Sequence, residues 1–332
     1  MVTLKDISKH TGLSLTQVSR AINNHNDVSE ASKKKVMEAV KELGYVPNLA
    51  AKKLATKVDN SIALIIVGFE KHNISANDMF IEIMSGVFNF ATENEYEVVQ
   101  YLYSEKLRNK KGYLQFCKER NVSGAILCGV KRNDPSVKEL IKLDFPTVFI
   151  DIPYLTESVG SVVIDNEKYA YIATKTLIEN GRKNIGFING HEKAHVSIGR
   201  KSGYTKALKE SGLTIDESKI KNGEYELEKA KQCAIELINE NVDAIFCASD
   251  IMALGVLNAC KDLNKCVPND VSIFGFDGIT LLDYITPSIS TIKQDSYDKG
   301  YKACKLLINY LKKEEPMDIV ESECSVLIRE ST

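Results

Sequence analysis

From residue 60 onward, apolar runs of strand length alternate with stretches of helical periodicity, and this alternation constrains the fold more than any other feature. Ile62–Val67, Glu97–Tyr103, Gly124–Cys128 and Thr147–Asp151 read as strands, separated by helical stretches at Phe80–Glu93, Leu107–Glu119 and Ser136–Lys142. A second series opens with strand Ser161–Ile164 and helix Tyr169–Asn180. It continues through strand Ile185–Ile188, helices Gly199–Glu210 and Glu228–Asn239, strand Ala244–Cys247, helix Ala253–Leu263 and strand Val271–Phe274. Strands and helices that alternate in this way build parallel sheets through right-handed crossovers. Two series predict two lobes, with a cleft at the carboxyl ends of the strands.

The start of the chain is different. Residues 1–57 carry ten Lys/Arg against five Asp/Glu, a net +5, while the remainder carries −7. A basic head on an acidic body predicts that only the head approaches a polyanion. Leu4–Thr11 reads as a helix capped by Thr3, Gly12 as a tight left-handed turn, and Ser14 as the cap of a second helix, Leu15–Asn23. Val18, Ala21 and Ile22 form one face of that helix, and Ser8 is small enough for the two helices to cross closely. This order of cap, small residue, glycine, cap and polar face is a helix-turn-helix pattern, whose second helix enters the DNA major groove. Arg20 suits a bidentate contact to guanine, and Leu15 and Thr16 suit thymine methyls or base edges. Thr3, Ser14, Ser19 and Asn23 suit phosphate contacts; Leu4 and Gln17, on the same two helices, complete the DNA-facing set. The alternative is a helical hairpin with an ordinary solvated face. A third helix, Glu30–Leu43, starts at the Ser29 cap, aligns Val36, Val40 and Leu43, and ends at Gly44.

Residues 47–58 read as a hinge. Helix formers follow Pro47, but the segment is shorter than the ~12–15 residues at which an isolated helix is even marginal. Such a segment folds when DNA and a partner chain are present. Leu54 is then either a wedge into a minor-groove base step or a packing residue of its own domain.

The sequence also excludes classes of function. It has no apolar window near the ~18 residues of a membrane helix, and the opening MVTLKDISKH is too polar for a signal peptide; a cytoplasmic protein is expected. The eight cysteines lack C-x-x-C spacing and read as small core hydrophobes. No nucleotide-binding glycine motif, G-x-S-x-G or H-E-x-x-H occurs, so no enzyme, cofactor or metal site is expected. His191 and His195 flank a strand-end loop, where a surface position is the simpler reading and a ligand contact the alternative.

The stretches Val2–Ile7, Val18-Ser19-Arg20 and Gly44–Ala51 resemble the lactose/galactose repressor (LacI/GalR) family. So do Gly199–Tyr204, Ala248–Gly255, Asp270–Asp277, Ser290–Gln294 and Leu327–Ser331. The resemblance implies an α/β chain: an all-α helix-turn-helix headpiece (1–46), a hinge (47–58) and a two-lobed parallel-sheet domain like a periplasmic binding protein (59–332). The first lobe would span about residues 59–162 and 293–322, the second 163–292 and 323–332, with crossovers near Ser161–Val163, Thr291–Lys293 and Glu321–Cys324. It places the wedge on Leu54, base reading on Leu15, Thr16 and Arg20, and backbone or hinge contacts on Tyr45, Asn48 and Lys52. It places an effector on Arg200 and Asp277, with Tyr225 stacking on it and Phe80, Asp151, Ser249 and Gln294 as further contacts. Turn or cap roles for Ser249, Asp250 and Asp277 stay open. The loop Gly190–Ser197 lacks the arginine and threonine of a purine-responsive member, which favours a sugar or sugar phosphate. The implied function is a homodimeric repressor on a pseudo-palindromic operator, controlled by a small ligand; the alternative is a global catabolite regulator governed by a phosphorylated carrier protein.

Overall fold

A computed structural model describes residues 2–46, 60–67, 74–103, 111–131 and 133–332, with only the backbone of 74–77. The chain divides into two units, residues 1–59 and 60–332. Pro47, Asn48, Lys52 and Leu54, and the hinge as a whole, lie outside the described residues.

The head consists of α1 (Leu4–Thr11), α2 (Leu15–Ile22) and α3 (Glu30–Leu43) around buried Ile7, Val18, Ala21, Val36 and Ala39. Its boundaries follow from side-chain chemistry. The Asp6 carboxylate accepts hydrogen bonds from the Thr3 amide at 2.8 Å and hydroxyl at 2.7 Å, which holds its pKa below the usual carboxylate value. Ser14 Oγ accepts from the Gln17 amide at 3.3 Å, while Gln17 Oε1 accepts from the Ser14 amide at 3.0 Å. That reciprocal pair satisfies donors a helix start leaves open. Gly12 and Gly44 close α1 and α3 at φ +68° and +63°. The Ser8 hydroxyl donates to the Leu13 carbonyl at 2.6 Å, fastening the turn.

The described residues of the body form two six-stranded sheets. In the first lobe β1 (Ser61–Val67), α4 (Ile74–Glu93), β2 (Glu97–Tyr103), α5 (Tyr113–Glu119), β3 (Gly124–Cys128), α6 (Pro135–Lys142), β4 (Thr147–Ile150) and β5 (Val159–Val163) follow in order. β1 is buried at every residue, so its sequence SIALIIV is apolar almost throughout and does not alternate. The second lobe has α7 (Asn166–Glu179), β6 (Ile185–Asn189), α8 (His195–Glu210), β7 (Ile220–Asn222), α9 (Leu227–Asn239), β8 (Ala244–Cys247), α10 (Asp250–Asp262), β9 (Ser272–Asp277) and β10 (Ser290–Gln294). The chain then returns to the first lobe as α11 (Ser296–Leu311), packed on α4, and β11 (Ile319–Glu321), and ends in the second with β12 (Cys324–Leu327).

The strand orders are β11-β5-β4-β3-β1-β2 and β12-β10-β9-β8-β6-β7. Among the described residues all pairs are parallel except β10 with β12. This corrects the expectation of purely parallel sheets. β12 enters the second lobe from the end at which β10 leaves it, so it can only run outward. Four helices begin at least three residues earlier than their periodicity suggested, α4 at Ile74, α7 at Asn166, α8 at His195 and α10 at Asp250, and α5 begins later, at Tyr113. The second crossing falls at Asp295, because β10 belongs wholly to the second sheet. Among the cysteines, Cys117, Cys128, Cys247, Cys260 and Cys304 are buried core residues and all eight are unpaired, but Cys233 and Cys324 are half-buried and Cys266 is exposed.

Candidate functional site

Two places in the chain carry the residues singled out from the sequence. On the head, Leu15, Thr16, Arg20 and Asn23 lie exposed on or next to α2, with Ser19 half-buried. Leu15 is a large apolar side chain left in solvent, opposite the face that buries Val18 and Ala21. Arg20 is paired with Asp27: Nε donates to Oδ1 at 3.1 Å and Nη2 lies 2.6 Å from Oδ2. This two-point grip presents the guanidinium fork in one plane, the geometry that also matches a guanine edge. Asn23 Nδ2 donates back to the Ser19 carbonyl at 2.8 Å, and Gln17 is engaged in the Ser14 cap. Leu4 and Tyr45 are placed otherwise, half-buried against the core of the head.

In the body, Phe80, Asp151, Arg200, Tyr225, Ser249, Asp277 and Gln294 all border one cavity of about 280 Å³ between the lobes. It opens where the topology requires, at the carboxyl ends of β1, β3 and β4 on one side and of β8, β9 and β10 on the other. His191 and His195 also line it, so neither is the plain surface histidine that the sequence suggested. The signal for them was the strand end just before, at Asn189.

Arg200 is buried and its guanidinium stacks 3.7 Å above the Phe276 ring. Nε donates to Asn166 Oδ1 at 2.9 Å, Nη1 donates to the Ala248 carbonyl, and Nη1 lies 3.6 Å from Asp277 Oδ1. A guanidinium has five N–H donors, more than these three partners take up. Burial pushes the Asp277 carboxyl above its usual range, and Arg200 opposes that shift. Gln294 Nε2 donates to Asp277 Oδ1 at 2.8 Å, and its Oε1 accepts from Lys299 Nζ at 2.7 Å.

Tyr225 is fixed on both sides. Its hydroxyl is 2.8 Å from Ser197 Oγ, and its ring rests on Gly190, where any Cβ would fall within 1.9 Å of a ring carbon. His191 meets the ring edge-on at 5.5 Å between centroids, and burial lowers the His191 pKa. Four cavity residues hold positive φ without being glycine: Asp151 at +67°, Glu224 at +57°, Tyr225 at +60° and Asp277 at +119°. Backbone strain of this kind is maintained where surrounding contacts over-determine the geometry.

Of the residues left open between cap and contact, Ser249 caps α10, accepting from the Met252 amide at 3.4 Å, and also lines the cavity. Asp250 does not cap its own helix. Its carboxylate accepts from the amides of Gly278 and Ile279 at 2.6 and 2.9 Å and from the Thr291 hydroxyl at 2.7 Å, fastening the turn after Asp277 to β10. Asp250 and Asn166 support the site without being read as such from sequence. So does Lys299, although it shares a helical stripe with Ala303 and Leu306 that marks a buried face.

No helix among the described residues is long and apolar enough to cross a membrane. Residues 3–48 match the family described as "Bacterial regulatory proteins, lacI family", and residues 174–332 match "Periplasmic binding protein-like domain". Catabolite control protein A of Priestia megaterium is 32% identical over 335 residues, covering 100% of this chain and 99% of the relative. The HTH-type transcriptional repressor PurR of Photobacterium profundum is 30% identical over 336 residues, covering 100% and 98%. Among solved structures, the transcriptional regulator CelR–cellobiose complex superposes with a TM-score of 0.76 at 27% identity, covering 100% of both chains. The chain therefore belongs to the lacI family of bacterial regulatory proteins, and it is a DNA-binding transcriptional repressor, not an enzyme.

Proposed function

We propose that this repressor works in the cytoplasm as a homodimer on a pseudo-palindromic operator, and that a small polyhydroxylated ligand in the interlobe cavity controls its grip on DNA. The observation that carries the reading is the convergence, on one cavity, of donors and acceptors contributed by both lobes: Asp151 from the first, Arg200 and Asp277 from the second. A ligand bridging them makes contacts in the closed arrangement that an open one lacks, and only such differential contacts shift an equilibrium. A hundredfold change in operator affinity corresponds to about 2.7 kcal/mol, within the range of a few hydrogen bonds.

On DNA, Arg20 leaves Asp27 to read a guanine while Leu15 and Thr16 meet neighbouring base edges. Thr3, Ser14, Ser19 and Asn23 take phosphates. In the hinge, Asn48, Lys52 and Leu54 contact the operator centre, with Leu54 as the wedge; Leu4, Gln17 and Tyr45 hold the reading helix and hinge in register. Homodimerisation is supported by large apolar side chains exposed on each lobe: Ile81, Phe88 and Leu102 on the first, Leu281 and Tyr284 on the second.

The test is selection of bound duplexes from a random pool at a stated salt concentration, followed by a screen of sugars for release of the selected operator. A near-palindrome that a sugar releases supports the whole reading, and Arg200→Lys should then remove release while sparing operator affinity. Release that survives Arg200→Lys removes the cavity assignment. The second reading, control by a phosphorylated carrier protein, has the likeness to Catabolite control protein A in its favour. It predicts that the phosphorylated carrier, and no sugar, changes operator affinity.

A further inference from the structure

We propose that Lys299 is a positioning residue that decides what the interlobe cavity accepts: it holds Asp151 and, through Gln294, Asp277 as hydrogen-bond acceptors, and so fits the site to a neutral polyhydroxylated ligand over its phosphorylated form. The inference rests on the reading of the cavity as the effector site and deepens it.

Lys299 stands in the first turn of α11 and is wholly buried. Its Nζ lies 2.9 and 3.1 Å from the two Asp151 oxygens and 2.7 Å from Gln294 Oε1. An ammonium carries three hydrogens and accepts nothing, so these partners use its whole capacity. Because Gln294 gives its carbonyl oxygen to Lys299, its NH₂ must face Asp277, and it does so at 2.8 Å. The lysine thus removes the freedom of the amide to flip. The result is one chain of fixed polarity from lobe to lobe, Asp151–Lys299–Gln294–Asp277–Arg200.

At either end of this chain a carboxylate borders the cavity, with 21% of the Asp151 side chain and 15% of the Asp277 side chain exposed. Each has roughly four acceptor positions, more than the partners described above fill. Facing carboxylates from opposite lobes call for a ligand with donors at both ends, which hydroxyl groups supply. A phosphate brings about −1.5 to −2 charges and acceptor oxygens, and at these two ends meets acceptors of its own sign; Arg200 and Lys131 also border the cavity, but Arg200 divides its charge with Asp277. The positive charge of Lys299 does not help it, since the ammonium is turned away onto Asp151. Without Lys299, Asp151 would lose the counter-ion that holds it in place as an acceptor.

The test uses the full-length chain and isothermal titration with D-glucose, D-galactose and cellobiose, each beside its 6-phosphate. The variants are Lys299→Met and, so that no charge is left unpaired in the interior, Lys299→Met with Asp151→Leu. In the wild type the neutral sugar that binds should do so at least about tenfold more tightly than its phosphate. Both variants should lower that preference ratio about tenfold. A purely structural loss would weaken both ligands together and leave the ratio unchanged. A phosphate bound as tightly as its parent sugar, or a ratio that both variants preserve, overturns the role given to Lys299 and leaves the effector site standing. Failure of every sugar and phosphate to bind the wild type overturns the sugar reading of the cavity, and this proposal with it.

Discussion

At the residue scale, Arg20 and His191 each hold a poised state. Arg20 is shared between Asp27 and the solvent-facing side of α2. An exposed pair of this kind is worth roughly 0–1 kcal/mol, well below the ~1–3 kcal/mol of a good bidentate base contact, so DNA can draw the guanidinium away. Arg20→Ala should therefore cost about 1–3 kcal/mol at one operator position and relax base preference there, as read by competition among single-base operator variants. Preference unchanged at every position would remove Arg20 from the reading set. Asp27→Asn should strengthen binding to all duplexes alike, because it deletes a competitor and a negative charge. His191 is poised by pH. Its Nδ1 accepts the Ala194 amide at 3.1 Å, which only an unprotonated nitrogen can do, and burial holds its pKa down. The unfolded chain takes up the proton as pH falls below about 6.5, while the folded chain resists it. The stability contributed by the neutral ring is thus complete above that pH and lost below it. Thermal unfolding followed from pH 7.5 to 5 should show a decline that His191→Asn reduces; identical profiles would count against this role.

At the element scale, close helix crossings decide the packing. α4 and α11 meet backbone to backbone: a Cβ on Gly86 would sit 2.1 Å from the Tyr297 carbonyl oxygen, and one on Gly300 would sit 2.0 Å from that of Ile83. Gly300→Ala forces these helices apart and should cost about 1–3 kcal/mol, measured by denaturant midpoint at constant m-value; a midpoint within error of wild type would show that the crossing yields freely. The same logic explains Gly203, which lets α8 lie against the Glu167 carbonyl of α7 while Arg200, on the same helix, reaches the cavity. Such crossings were barely legible in the sequence. The caps of the head were legible, because Ser14, Ser29, Gly12 and Gly44 act on residues three or four positions away, whereas Asp134, Asp165 and Asp295, which cap α6, α7 and α11, were not read. The strand alternation of the body was legible for the same reason, since period and length are local. Lys299 and Asp250 were not, because their partners Asp151 and Gly278–Ile279 lie 148 and 28–29 residues away, and a lone lysine in a helix is exposed far more often than buried. The direction of β12 depends on where the chain re-enters the second lobe, which no local pattern encodes.

At the scale of the whole molecule, the proposed homodimer needs a surface on the body that joins two copies. Tyr284 leaves 81% of its surface in solvent, with Leu281 on the same short helical turn. In a protein that stayed monomeric this would be an idle apolar patch. Tyr284→Lys with Leu281→Lys should leave the fold intact, halve the mass in sedimentation equilibrium, and weaken binding to a two-half-site operator far more than to a single half-site. A dimer that persists would move the interface elsewhere.

The threading of the chain between lobes also has a consequence for synthesis. The first lobe takes Ala303, Leu306 and Leu307 of α11 into its core and β11 onto its sheet, although most of that lobe is encoded before residue 163. A ribosome that has released only the first half of the protein has therefore released a lobe with one side of its core uncovered. The order of folding cannot follow the order of translation lobe by lobe. Both lobes must wait for the last few dozen residues, and a chain interrupted before α11 presents an open apolar face to whatever holds or degrades unfinished proteins.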